Sequence, residues 1–315
     1  MLDSGFSFIG DTHIGRRFRT GVPLNRLGER EELIYNLFTE KLYDNNHNIH
    51  TIVHLGDLFD RPTVGYDDLF RTFNIIKGAA EQYPFRNYYF IQGNHDMSRN
   101  REMVTAFGIL KTLLRDTENV IFIDDEVLVD GNLAFVPYTK NEEFIKHYNF
   151  LPVYKNMTLF GHFDEPFPYY IFKDFLNVVT GHIHIPREEN NIIVTGSIIP
   201  MTFGEDPAGK LYRTLTLNEF EAVQNNPYDK EGEWRDYCYR VMLKDGETLP
   251  ENPGCRQLIS IKKDDLENLS EYQLESLSDF PNFDMDSLLK KVLEKTGLFD
   301  EIYKKYLELR AELNV

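Results

Sequence analysis

The chain has 315 residues, 42% of them hydrophobic and 27% charged, enough to bury one large core and a smaller second one. Its net charge of -17 argues against broad nucleic-acid binding, which relies on Lys and Arg displacing counterions from the backbone. A nucleic-acid role would need a local basic patch or a more basic partner. No apolar run reaches the length of a membrane span and no basic-then-apolar leader opens the sequence, so the expected location is the cytoplasm, or the host cytoplasm for a viral protein, without membrane contact. Cys238 and Cys255 are the only cysteines and stand outside every motif, which argues against a disulfide framework and excludes a cysteine-ligated zinc.

Phe6 to Gly10 reads as a strand ending on glycine, with Asp11 and His13 next. The polar loop from Ile14 to Arg30 carries Arg16, Arg17, Arg19, Arg26 and Arg30; these charges are either solvated or gathered for phosphate. Glu31 to Tyr43 has helical spacing, with Leu33, Ile34, Leu37, Phe38 and Leu42 on one face. Thr51 to Leu55 is a β-branched run that ends on Gly56-Asp57, followed by a loop through Arg61-Pro62. Leu69 to Tyr83 is a second helix, and Tyr88 to Ile91 a strand before Gly93-Asn94-His95-Asp96. This β-α-β-α-β order predicts a layered α/β sheet.

Met103 to Leu114 reads as helix, then Val120–Ile123, Val127–Val129 and Leu133–Val136 as strands. Glu142 to Tyr148 is helical, and Thr158 to Phe160 a strand before Gly161-His162. Leu176 to Thr180 precedes Gly181-His182-Ile183-His184, and Ile192–Thr195 and Leu211–Leu217 complete the sheet region. The character then changes. Asn225–Asp229 reads as a linker, Tyr237–Leu243 and Gln257–Ile261 as strands of a small α+β cap, and Asp284–Val315 as two helices broken at Gly297. The expected domains are 1–217, a cap over 218–270 and a helical tail over 271–315 that packs on its own domain or docks a partner.

Five times, an apolar run and a glycine are followed by a metal-type ligand. Parallel, adjacent strands would bring these ligands to one sheet edge, since open α/β sheets bind ligands at the carboxyl ends of their strands. Asp11, His13, Asp57, Asn94, His162, His182 and His184 supply oxygen and imidazole donors. One ion takes about four to six ligands, so this set suits two ions sharing a carboxylate, Mn²⁺ first, with Fe²⁺, Zn²⁺ or Mg²⁺ as alternatives. Such a pair is a known solution for phosphoester hydrolysis. His95 is the candidate acid for the leaving oxygen, and Asp96 is expected to orient its imidazole. His47, His50, His54 and His147 lie outside the motifs and receive no role.

The ordered series Asp11-x-His13, Gly56-Asp57-x-x-Asp60, Gly93-Asn94-His95-Asp96, Gly161-His162 and Gly181-His182-x-His184 resembles the calcineurin-like metallophosphoesterases. Within them it looks most like the SbcD branch of DNA-repair nucleases. Gly56-Asp57-Leu58-Phe59-Asp60 has that branch's form, and Gly196-Ser197-Ile198-Ile199-Pro200 through Phe203, with Glu205-Asp206, resembles the segment that follows the last histidines there. The cap and helical tail are similar in plan to the phage recombination endonuclease subunit.

The resemblance implies an α/β metallophosphoesterase sandwich of central sheets flanked by helices. Asp11, His13, Asp57 and His184 would bind one Mn²⁺, and Asp57, Asn94, His162 and His182 the other. His95 would act in catalysis; separately from the resemblance, Arg16, Arg17, Arg19 and Arg61 are the candidate contacts to DNA phosphates. The implied activity is Mn²⁺-dependent exonuclease and endonuclease cleavage of DNA, the implied partner an SbcC-type coiled-coil ATPase, and Glu31–Tyr43 and Leu69–Tyr83 surfaces for a homodimer. The short interval from His162 to His182 points to a missing DNA-facing insertion, and partner docking would rest on Asp284–Val315 alone. The competing readings are a phosphoesterase for a phosphoprotein or nucleotide, which the metal ligands do not separate from a nuclease, and a metal-free scaffold, which needs no complete ligand set.

Overall fold

The computed structural model describes residues 5–100, 103–140, 144, 156–226 and 232–262. The helix expected over Glu142–Tyr148 apart from Phe144, the helices expected after Asp284, and most of the linker at Asn225–Asp229 lie outside these described residues. The chain divides into two units, Met1–Lys262 and Lys263–Val315, and all described residues belong to the first.

Strands β1 (Phe6–Ile9), β2 (Thr51–His54), β3 (Asn87–Ile91) and β4 (Val120–Ile123) form a sheet in that order, every pair parallel. The crossovers are α1 (Glu29–Leu42), α2 (Tyr66–Gln82) and α3 (Ala106–Leu113). All four β2 residues are buried, as expected for a parallel strand covered on both faces. Alternation sorts them. Ile52 joins Ile34, Phe38, Ile76 and Phe107 in the core beneath the helices, while Val53 and Leu55 join Phe135, Phe160 and Val179 on the other face. Helix α3 begins at Ala106, later than the expected Met103, because the Thr105 side chain accepts the Gly108 N–H and caps it there.

The second sheet has the order β5-β6-β7-β8-β10-β9. Its strands are β5 (Leu128–Asp130), β6 (Leu133–Val136), β7 (Thr158–His162), β8 (Asn177–Gly181), β9 (Arg187–Glu189) and β10 (Ile192–Val194). The inner four are parallel and the edge strands β5 and β9 antiparallel. Its inner face meets the first sheet through aromatic rings: Tyr89 stacks on Phe135 at 4.2 Å and Phe6 on Phe160 at 6.1 Å. Its outer face carries Phe163, Phe167 and Phe172, the last on the short helix α4 (Tyr169–Phe172). The ligand-bearing strands are therefore split between two packed sheets, not gathered on one.

The strand read over Leu211–Leu217 does not complete the main sheets. Its ordered part, β11 (Tyr212–Thr216), pairs in parallel with β12 (Cys238–Leu243), which pairs in parallel with β13 (Gln257–Lys262). Local alternation specifies a face and not a sheet, so the sequence reads the same either way. Leu217 instead starts α5 (Leu217–Gln224), closed by a capping box between Thr216 and Glu219. That signature was in the sequence and would have found the helix. Cys238 and Cys255 are buried and free.

The arginine-rich loop ties the three-stranded sheet to the body. Arg26 donates to the carbonyls of Arg235 and of Gly254, the latter at 2.9 Å. Buried Arg30 donates to the Tyr212 hydroxyl at 2.7 Å, its guanidinium 4.0 Å from the Phe18 ring. No described helix is long and apolar enough to cross a membrane.

Candidate metal centre

The carboxyl ends of β1 and β2 stay coupled after the strands stop. The N–H groups of Thr12 and His13 both donate to the Asp57 carbonyl, at 3.1 and 3.0 Å, and Ile14 N–H to the Leu58 carbonyl at 3.0 Å. Space is scarce here. A Cβ on Gly56 would strike the His162 ring, and one on Gly93 would strike Asp57; these two glycines let the backbones close around the ligands. Four described non-glycine residues have positive φ, and three of them are ligands: His13 at 46°, Asp57 at 51° and His182 at 75°. Such backbone is costly and collects at functional sites.

All seven expected ligands come together. Asp11, His13 and His184 form one group of converging donor atoms, Asp57, His162 and His182 another, and His13, Asp57 and His95 a third that overlaps both. His13 Nε2 lies 3.1 Å from His184 Nε2 and 3.7 Å from Asp57 Oδ2. Across the carboxylate, His162 Nε2 lies 3.4 Å from the same Oδ2. Asn94 Oδ1 is 2.9 Å from His162 Nε2 and 3.1 Å from His182 Nδ1. Asp57 Oδ2 thus faces both groups, while its Oδ1 accepts the His95 N–H at 2.8 Å.

Hydrogen bonds on the far sides of the rings decide which nitrogen each presents. His162 Nδ1 donates to the Leu55 carbonyl at 2.8 Å. His182 Nε2 faces Asp164 Oδ1 at 2.9 Å, and the second oxygen of Asp164 accepts the Tyr138 hydroxyl at 3.1 Å. His184 Nδ1 faces Glu205 Oε2 at 3.1 Å. The nitrogens left over, with the oxygens of Asn94, Asp57 and Asp11, converge as acceptors. Such a set demands positive charge. In the metal-free chain burial opposes protonation of His162, yet the Asp57 and Asp11 carboxylates push it up to about 9. Burial likewise works against ionised Asp57, yet the His162, His13 and His95 rings hold it well below the usual carboxylate range. The donor set fits two divalent cations sharing Asp57.

A family match agrees with this geometry: the calcineurin-like phosphoesterases match residues 6–247. The chain belongs to the calcineurin-like phosphoesterase family. Its members are hydrolases of phosphoesters that use divalent metals, and here Asp and His groups stand where such ions would be held. The comparison with curated proteins finds no match.

His95 sits at this phosphoesterase centre, its ring 4.7 Å from that of His13. Its orientation differs from expectation. Asp96 does not reach the imidazole; its oxygens accept the N–H groups of Leu58, Phe59 and Gly93 at 3.2, 2.9 and 2.9 Å. The tight turn after Gly93 aims the carboxylate back at the backbone, where it holds the β2 and β3 exits together. His95 Nδ1 instead donates to the Asp60 carbonyl at 2.8 Å, which leaves Nε2 open.

The same Asp60 holds Arg16 at 3.4 Å and Arg61 at 3.5 Å and lies 3.7 Å from His13 Nδ1. Arg17 is turned away to Asp68 at 2.5 Å. Arg17 and Arg19 line an open groove of about 1020 Å³ with Glu31, Glu32, Asp67 and Asp68, and none of the seven ligands lines it. The residues missed by sequence reasoning are Asp60, Asp164 and Glu205. Asp60 closes the quoted Gly56-Asp57-x-x-Asp60 motif and Glu205 stands in the quoted segment after the last histidines, but neither was given a role; Asp164 had no local signal, because its partner is distant in sequence.

Proposed function

We propose that the chain is a Mn²⁺-dependent DNA exonuclease and endonuclease of the SbcD type, acting with an SbcC-type coiled-coil ATPase in recombination or repair. The double donor set around Asp57 with His95 supports phosphodiester hydrolysis in general, and the two arginines gathered beside it, Arg16 and Arg61, favour DNA as the substrate. Asp11, His13, Asp57 and His184 would hold one ion, and Asp57, Asn94, His162 and His182 the other. When bound, the two cations would supply the positive charge that hydrolysis of a phosphodiester requires.

The remaining work falls to the chain. Asp60 fixes His95 through Nδ1, so a protonated ring holds its other proton at Nε2, where the leaving oxygen can take it. Arg16 and Arg61, both paired with Asp60, would neutralise a phosphate beside that ring. Arg17 and Arg19 line a groove of mixed charge, with Arg71 and Arg256 beside its carboxylates, that none of the seven ligands reaches, and they carry less of the DNA reading. Within the proposal, the chain segment over 271–315 is the ATPase-docking element, and α1 and α2 are surfaces for a second copy.

The net charge of -17 favours the alternative, a phosphoesterase for a phosphoprotein or nucleotide. The test is Mn²⁺-dependent cleavage run side by side on end-labelled duplex DNA, single-stranded DNA and a small chromogenic phosphodiester. DNA cleavage that disappears in Asp57→Ala supports the nuclease. Cleavage of the small ester with DNA untouched, alone and with the ATPase added, overturns it in favour of the alternative.

A further inference from the structure

The segment after the last histidines does more than follow them. Its Ser197 N–H donates to the His184 carbonyl at 3.1 Å and its Ile198 N–H to the Asp11 carbonyl at 2.9 Å. It then turns, and Glu205 comes back toward the centre. One carboxylate oxygen, Oε2, accepts the Met201 N–H at 2.7 Å and faces His184 Nδ1 at 3.1 Å. The other accepts the Thr202 hydroxyl at 3.0 Å. The side chain is 9% exposed, and a buried carboxylate persists only when its oxygens are engaged.

The next residue anchors the same turn from the other side. Asp206 accepts the N–H groups of Lys210, Leu211 and Tyr212 at 3.0, 2.6 and 2.8 Å. The Tyr212 hydroxyl donates to the Met201 carbonyl at 3.1 Å and accepts from Arg30. The platform that holds Glu205 is thus built on the first residue of β11, in the three-stranded sheet.

We propose that Glu205 is a positioning residue for the ion held by Asp11, His13, Asp57 and His184. It keeps the proton of His184 on Nδ1, so that Nε2 turns toward His13 Nε2, and the three-stranded sheet holds it in place to do so. This rests on the reading of the centre as a two-cation site. Ligand histidines depend on such outer partners, whose loss costs roughly 10- to 100-fold in metal affinity.

The test is Mn²⁺ binding by equilibrium dialysis with metal analysis, on the wild-type chain, Glu205→Ala and Glu205→Gln, with folding checked by circular dichroism. The wild type should bind two ions. Glu205→Ala should weaken one ion by roughly 10- to 100-fold and leave the other within about twofold. Glu205→Gln keeps an acceptor and should fall between. Two ions of unchanged affinity in folded Glu205→Ala would overturn the proposal, whereas a wild type that binds no ions would overturn the two-cation reading beneath it.

Should Glu205→Ala fail to fold, the ring itself decides. In the Zn²⁺-loaded wild type, ¹⁵N spectra of labelled histidine should show His184 protonated at Nδ1 and metallated at Nε2. The opposite assignment would sink the idea. A carboxylate that only braced its own turn would change stability without moving the metal affinity of Glu205→Gln or the His184 tautomer in that variant.

Discussion

Asp57 and Arg30 are both buried charges, 1% and 3% exposed, and they are compensated in opposite ways. Asp57 stands among imidazoles: His13 at 3.7 Å and His162 at 3.4 Å face one oxygen, and the His95 N–H binds the other. Arg30 has a neutral hydroxyl, the faces of two aromatic rings, and an Nη2 without a hydrogen-bond partner. The first setting can exchange protons for cations. The second can only be filled once, by the fold. Buried charge alone does not mark a site; what marks one is charge surrounded by groups that can give up protons.

The comparison breaks most sharply at Asp57. Asp57→Ala should remove both ions and reduce phosphodiester turnover to the level of buffer, because one carboxylate serves both groups. Metal analysis that still finds two ions per chain would dissolve the distinction. His95→Ala should keep two ions and lose turnover by roughly 10²- to 10⁴-fold, the share of a general acid. Loss of metal on that substitution would place His95 among the ligands.

Arg30 should behave in the reverse sense. Arg30→Met removes a charge-assisted bond to Tyr212 and should cost about 1.5–3 kcal/mol of stability, seen in urea unfolding. Turnover of a small ester below the unfolding midpoint should fall less than in Glu205→Ala, because Arg30 reaches the ligands only through Tyr212 and the turn that holds Glu205.

The smallest expected effect belongs to His54, which lies between the Phe38 and Phe90 rings and meets the Thr12 hydroxyl at 3.1 Å. Burial pushes its pKa down from 6.5 to about 3. The folded value lies below the unfolded one, so its stabilisation is whole above pH 6.5 and lost as pH falls toward 3. Between pH 7 and 5 in the presence of a chelator, His54→Gln should flatten the acid slope by up to about 2 kcal/mol. An unchanged slope would mean that other buried groups carry it.

The centre was legible because parallel strands convert a linear pattern into a meeting point. Each apolar run that ends on glycine delivers its ligand to the same end, whichever of the two sheets it enters, so Asp11, Asp57, Asn94, His162 and His182 could be read without knowing the sheet order. Asp96 was misread because adjacency to His95 suggested a pair, while the turn points the carboxylate at N–H groups that have no signature. Glu205 and Asp164 were invisible as partners of His184 and His182 for the same reason: nothing local announces a contact closed by tertiary structure. The arginines of residues 16–30 were ambiguous for lack of known partners. The structure divides them into Arg16 beside the centre, Arg17 paired with Asp68, and Arg26 and Arg30 tied to the three-stranded sheet.

The left-handed backbone at His13, Asp57 and His182 bears on how such a protein could lose its chemistry. Each of these conformations costs an L-residue with a Cβ on the order of 1–3 kcal/mol, and glycine would relieve it. A descendant with no use for the ions would gain stability from each such replacement. Ligand loss would then be favoured at these three positions before any other, and a chain that still carries histidine, aspartate and histidine there is holding them against its own folding preference.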